Sequence, residues 1–193
     1  MEEKININGI FPNLSVKAKH SPARSEIGIG ALMPWTDKLW FITYVAHKKE
    51  SGDGGGLFYI DDNFNLTKHP ESKVGTYANR IIHHESNQMI IGPHIIDIEG
   101  NVRTFKDLVD IRIAGTARHL SEPEKKVYFL GMEGELFEAD VYTLEVNFLF
   151  DLNKKLYIKR PHFKDIFTGN GKVVVTNNSY YKEDFERGYS DGR

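Results

Sequence analysis

The sequence contains no cysteine, which excludes disulfides, thiol nucleophiles and cysteine-based zinc sites together. No apolar run approaches 18 residues, so no membrane span is expected. The first residues, MEEKININGIFPNLSV, are acidic first and lack a basic stretch ahead of an apolar core. They do not read as a secretory signal, and a cytoplasmic location is the matching expectation. An excess of charge of one sign is also lacking: 25 Lys and Arg stand against 27 Asp and Glu, for a net charge of −2 and a pI of about 6.4. That balance favours neither nucleic acid nor an anionic membrane as a partner. Long segments with an apolar period of 3.6 are missing, and the best helix candidates, SEPEKK (121–126) and KEDFER (182–187), are short. There is no GxSxG. GDGGG (52–56) is followed by no GK[ST] and reads as a hairpin loop rather than a phosphate loop.

What is present points to strands. The chain has 193 residues, of which 40% are hydrophobic and 27% charged, which is enough for one ordinary core. Aromatics reach 12%, a composition that suits pleated surfaces. Apolar, β-branched and aromatic runs recur at 39–46, 56–62, 87–98, 101–105, 126–132, 135–140, 144–150 and 172–178. Turn residues bound most of them, as in DDNFN (61–65), EGN (99–101), MEGE (132–135) and NGK (170–172).

The runs resemble one another. GLFYIDDNFNLT (56–67) lies on GELFEADVYTLE (134–145), with Leu57 on Leu136, Phe58 on Phe137 and Asp61 on Asp140. HIIDIEGNVRTF (94–105) is the expected middle copy, and VGTYANR (74–80) matches AGTAR (114–118). Four antiparallel strands at a period of roughly 40–50 residues are the mark of a β-propeller blade. The fold expected is therefore all-β, a β-propeller of four-stranded antiparallel blades. About four are present, near 25–70, 76–109, 115–152 and 159–193, with the last incomplete. A propeller must close, so the expectation is that these blades belong to a six- or seven-bladed ring and that the remainder of the ring is a partner. Asp61, Asp97 and Asp140 fall at strand-to-turn junctions, where capping of turn amides is their natural work.

Chemistry-bearing residues gather in the segments leading into each blade. NRIIHHE (79–85) holds Arg80, His83 and His84; ARHLSE (117–122) holds Arg118 and His119; KRPHFKD (159–165) holds Arg160, His162 and Lys164. His20 and Arg24 form a looser version ahead of the first blade. Arg grips carboxylates and phosphates bidentately, and His works as an acid or base near neutral pH. The pattern predicts a basic channel mouth for an anionic or sugar-like small molecule. Arg80, His84, Arg118, Arg160 and Lys164 would bind, Trp35 would stack on a sugar, and His83, His119 or His162 would serve as base. The competing reading makes the same residues internal struts between blades. No metal site is expected, because a His-only site needs three or four converging imidazoles and these offsets do not superpose. No cofactor is identified.

KVYFLGMEGELFEADVYTLEV (126–146) and HFKDIFTGNGKVVVTNN (162–178) resemble irregular bacterial propellers of the TolB-like, NHL-like and lyase types. Neither the Gly-His and Trp-Asp signature of WD repeats nor the double glycine of kelch repeats is present. The resemblance implies the fold. It leaves open a ligand binder, a carbohydrate-active lyase or hydrolase, and a non-catalytic protein-interaction scaffold, since propellers host all three.

Overall fold

Turn chemistry cuts the chain into short antiparallel strands. The computed structural model describes residues 27–45, 55–157 and 161–178. Sheet 1 holds β1 (Ile27–Trp35), β2 (Lys38–Val45), β3 (Leu57–Ile60) and β4 (Leu66–Lys68). Sheet 2 holds β5 (Arg80–His83), β6 (Gln88–Ile91), β7 (His94–Ile96) and β8 (Val102–Thr104). Sheet 3 holds β9 (Ile113–Arg118), β10 (Lys126–Gly131), β11 (Glu135–Asp140) and β12 (Val146–Asp151). Sheet 4 has β13 (Phe163–Gly169) and β14 (Lys172–Asn177). Within each sheet the strands lie in chain order and pair antiparallel.

The third-to-fourth strand turns use one device. Asp61 Oδ1 accepts from the Asn63 and Asn65 amides at 2.9 and 2.8 Å, and its Oδ2 accepts from Asn65 Nδ2 at 3.0 Å. Asp97 repeats this with Glu99 and Asn101 at 3.0, 2.8 and 3.0 Å. Asp140 accepts from the Tyr142 and Thr143 amides at 2.8 and 2.9 Å. A short carboxylate that satisfies amides two to four residues on closes such turns without help from the core. Hydrogen bonds from Asn65 hold the Asp61 carboxyl below its ordinary range.

Packing follows the alternation of side chains along each strand. On β10, Val127 and Phe129 enter the core shared with Ile90, Ile91 and Ile95 of sheet 2, whereas Tyr128 and Leu130 pack with Phe163 and Ile166 of β13. On β2, Trp40 and Ile42 join the same large core, and Phe41 clusters on the other face with Phe58 and Ile60. β6 and β7 are buried along their whole length, as strands covered on both faces must be. Sheets 1 to 3 therefore stack in order, and β13–β14 lies on the free face of sheet 3.

Tyr77 holds the centre of this stack. It is fully buried, its hydroxyl donates to the Val109 carbonyl at 2.6 Å, and its backbone forms a parallel bridge with Ile113 at the start of sheet 3. Gly30 of β1 faces its carbonyl so closely that a Cβ would fall 1.9 Å from that oxygen. Gly92, at φ +56°, leaves room beside its ring and Ile42.

The short helix candidate SEPEKK (121–126), which the sequence left open between helix and turn, is a turn, closed by Lys125 and Lys126 amides donating to the Glu122 carbonyl. Six residues with a proline among them are too few to nucleate a helix between two strands. KEDFER lies outside the described residues. The one α-helix among the described residues, α1 (Leu152–Leu156), has Asp151 as its cap, accepting from the Asn153 amide at 2.8 Å, and ends at Tyr157 with φ +56°.

Candidate functional site

Register shows which predicted residues are comparable. Trp35 pairs with Lys38, His83 with Gln88, and the His119 amide donates to the Lys126 carbonyl at 3.2 Å. Each of these partners precedes the residue that opposes the one before the capping Asp: Leu39 opposes Ile60, Met89 opposes Ile96, and Val127 opposes Ala139. Trp35, His83 and His119 thus stand at one position, the far end of the first strand in three sheets. The turns that follow, 36–37, 84–87 and 120–125, differ in length, so fixed offsets in the sequence hide the match.

At this position an aromatic ring N–H ties things together. Trp35 Nε1 donates to the Asp97 carbonyl of sheet 2 at 2.9 Å. His83, fully buried, has Nε2 2.7 Å from the Pro123 carbonyl of the next sheet's turn. A carbonyl only accepts, so that nitrogen carries the proton. Nδ1 then accepts from the Ser86 amide at 3.3 Å, with the Ser86 hydroxyl at 2.7 Å. Burial pushes the His83 imidazole below its ordinary value, against the bond to Pro123, which raises it. His119 accepts at Nδ1 from the Glu122 amide at 3.1 Å and the Ser121 amide at 3.3 Å, and its Nε2 lies 3.2 Å from Glu138 Oε2. Its ring also lies 4.4 Å from that of Tyr128.

The cations here are answered by carboxylates that the sequence reading passed over. Arg118 Nε is 3.2 Å from Glu85 Oε1, an ion pair whose N–H is not aimed at the oxygen. Lys126 bridges Glu122 at 2.8 Å and Glu138 at 3.2 Å. Arg118 is half-exposed, so its pairing adds little stability.

The remaining predicted residues are scattered. His162 precedes β13, at the opposite end of a first strand from His83 and His119, and its amide donates to Asn177 Oδ1 at 2.9 Å. At about 3.3 Å per residue, a strand of this length separates the two ends by roughly 20 Å. The three histidines do not converge. Arg80 starts β5 opposite Ile91, whereas Arg118 ends β9 opposite Val127, so these two are not matched positions. Arg80, His84 and Lys164 are exposed, and Arg160 lies outside the described residues, as do His20 and Arg24. Among the described residues no group of three His, Asp or Glu could hold a metal ion. No helix among them is long and apolar enough to cross a membrane.

Of GDGGG, the last two residues fall within the described structure. The Gly56 amide donates to Thr43 Oγ1 at 2.6 Å and its carbonyl accepts from the Thr43 amide at 2.9 Å, which closes the β2–β3 hairpin.

Comparison with known proteins returned no matching protein-family profile and no matching curated protein.

Proposed function

We propose that the chain is a run of β-propeller blades acting as a non-catalytic binding module, an interaction scaffold whose Arg and His positions are struts. The observation that carries this reading is the shared position of Trp35, His83 and His119, where ring nitrogens are spent on backbone and carboxylate partners. A base needs a free nitrogen within reach of a proton on a substrate, and His83 has none. Propeller geometry is supported by the direction of stacking. The face of sheet 3 bearing Val127 meets sheet 2, and the face bearing Tyr128 meets β13. Head-to-tail stacking of this kind closes into a ring when the rotation per unit allows.

A carbohydrate-active lyase or hydrolase draws on one observation, the His119–Glu138 pair at 3.2 Å. That pair resembles a base with its orienting carboxylate, but the nitrogen that should face a substrate accepts turn amides instead. The strut reading expects His83→Ala to lower the unfolding free energy by about 2–4 kcal/mol, since it empties a buried site and orphans the Pro123 carbonyl and the Ser86 amide. Urea unfolding of His83→Ala and His119→Gln, beside an assay on uronate-containing glycans, tests it. Turnover lost in His119→Gln at unchanged stability would overturn the reading.

The rest of the ring is the partner this reading implies. β14 has β13 on one edge and, among the described residues, no strand on the other, whereas β2, β6 and β10 are central. Phe167 and Val174, opposed on the face turned away from sheet 3, are each 55% exposed. Hydrogen exchange checks this point: the outward amides of β14 should exchange on the order of 100-fold faster than those of β6 and β10 in the 193-residue chain. Equal protection would mean that the edge is already filled.

A further inference from the structure

We infer that residues 69–73 form a strap that acid releases from the joint between sheets 1 and 2. It would do so in a binder and in an enzyme alike. The segment, His-Pro-Glu-Ser-Lys, leaves the end of β4 and lies against the start of β3 and the start of β7. The His69 amide donates to the Leu57 carbonyl at 3.0 Å, and Ser72 Oγ accepts from the Leu57 amide at 2.7 Å. The approach is closest at Gly56, where a Cβ would lie 1.8 Å from Ser72 Oγ. None of the strap's side chains belongs to a core cluster. Polar contacts hold it, with one ring contact between His69 and Trp40 at 5.8 Å.

Two imidazoles close the strap, each by accepting an amide. His69 Nδ1 accepts from the Glu71 amide at 3.2 Å, and His94 Nε2 accepts from the Lys73 amide at 3.3 Å. An amide N–H only donates, so the proton of His94 lies on Nδ1 and goes to Thr104 Oγ1 at 2.9 Å. A second proton would set N–H against N–H and would charge a fully buried ring. The cations that reach His94 from the strap, His69 and Lys73, oppose that charge as well. On His69, partial burial opposes a charge, Glu71 favours it and Lys38 opposes it. At pH 5 His94 therefore takes its proton when the strap lifts, and acid draws the strap open. The link from sheet 2 to sheet 3, 105–112, holds no histidine. Buried Phe105 and Leu108 anchor it, with the Tyr77 hydroxyl on the Val109 carbonyl. The device belongs to the first of these two joints alone.

The test is native-state hydrogen exchange of the 193-residue chain at pH 7.5 and 5, with and without low urea, each rate divided by its intrinsic value. A released His94 takes its proton near pH 6.5, so the Lys73 and Leu57 amides should lose about 30-fold in protection at pH 5. Their rates should barely respond to urea, because a lifted strap exposes little surface, whereas those of Ile90 in β6 and Phe129 in β10 should rise with it. His94→Phe should leave Lys73 poorly protected at both pH values and shrink the acid response to the few-fold that His69 supplies. His69→Gln should keep most of the response. Equal protection of Lys73 at the two pH values would overturn the strap. So would a urea response at Lys73 as steep as that at Ile90, which would mean that the segment opens only with the whole fold. A full 30-fold response in His94→Phe would overturn His94 as the trigger.

Discussion

Lowering the pH from 7.5 to 5 is expected to cost the protein about 2 kcal/mol of stability through His94 alone. His94 lies on β7, fully buried, with Nδ1 2.9 Å from Thr104 Oγ1 and Nε2 accepting from the Lys73 amide at 3.3 Å. Burial, assisted by the nearby positive charges of His69 and Lys73, holds its pKa down at about 3. An unfolded chain binds that proton near pH 6.5, so the stabilisation is complete above 6.5 and is lost as the pH falls from there towards 3. His83, pushed down by its own burial, adds to the loss in the same direction.

Register also supplies the control. His94 sits three residues before Asp97, as Phe58 does before Asp61 and Phe137 before Asp140. His94→Phe is therefore a substitution the neighbouring sheets already make. It orphans the Lys73 amide and should cost about 1–3 kcal/mol at pH 7.5. Because Phe does not titrate, the gap between variant and native protein should close by pH 5. Urea unfolding at several pH values across this range checks it, and parallel stability curves would show that His94 does not set the acid limb.

The second large effect is expected at Tyr77. Removing its ring should cost about 3–5 kcal/mol, since the side chain is fully buried where sheets 1, 2 and 3 meet and where Gly30 and Gly92 leave no backbone slack to refill the hole. Tyr77→Phe separates ring from hydroxyl. It keeps the packing and strands only the Val109 carbonyl, for about 1–2 kcal/mol. Burial, with Asp110 nearby, raises the Tyr77 hydroxyl well above its ordinary value, so the phenol stays neutral and donating throughout the accessible pH range. Denaturant midpoints of the two variants test the split. A Tyr77→Ala midpoint close to that of Tyr77→Phe would mean that the ring contributes little.

Strand identity, turn position and the capping work of Asp61, Asp97 and Asp140 were legible in the sequence because each is local. Alternating apolar residues fold against whatever covers them, and a carboxylate two residues from an amide needs no distant partner. The candidate site was much less legible. Arg-then-His spacing made Arg80 and Arg118 look equivalent, and the ladders place them at opposite ends of their strands. Conversely, Trp35 shares no chemistry label with His83 and His119, and only register reveals that the three are one position. Helix α1 was missed because its cap, Asp151, also ends a strand.

By itself the sequence determined an all-β chain cut into antiparallel strands, since side-chain period and turn chemistry act over a few residues. Tertiary structure alone decided what the ring nitrogens of Trp35, His83 and His119 do. Whether an imidazole is a base or a tie depends on which carbonyl lies 2.7 Å from it, and for His83 that carbonyl is Pro123, forty residues away in another sheet.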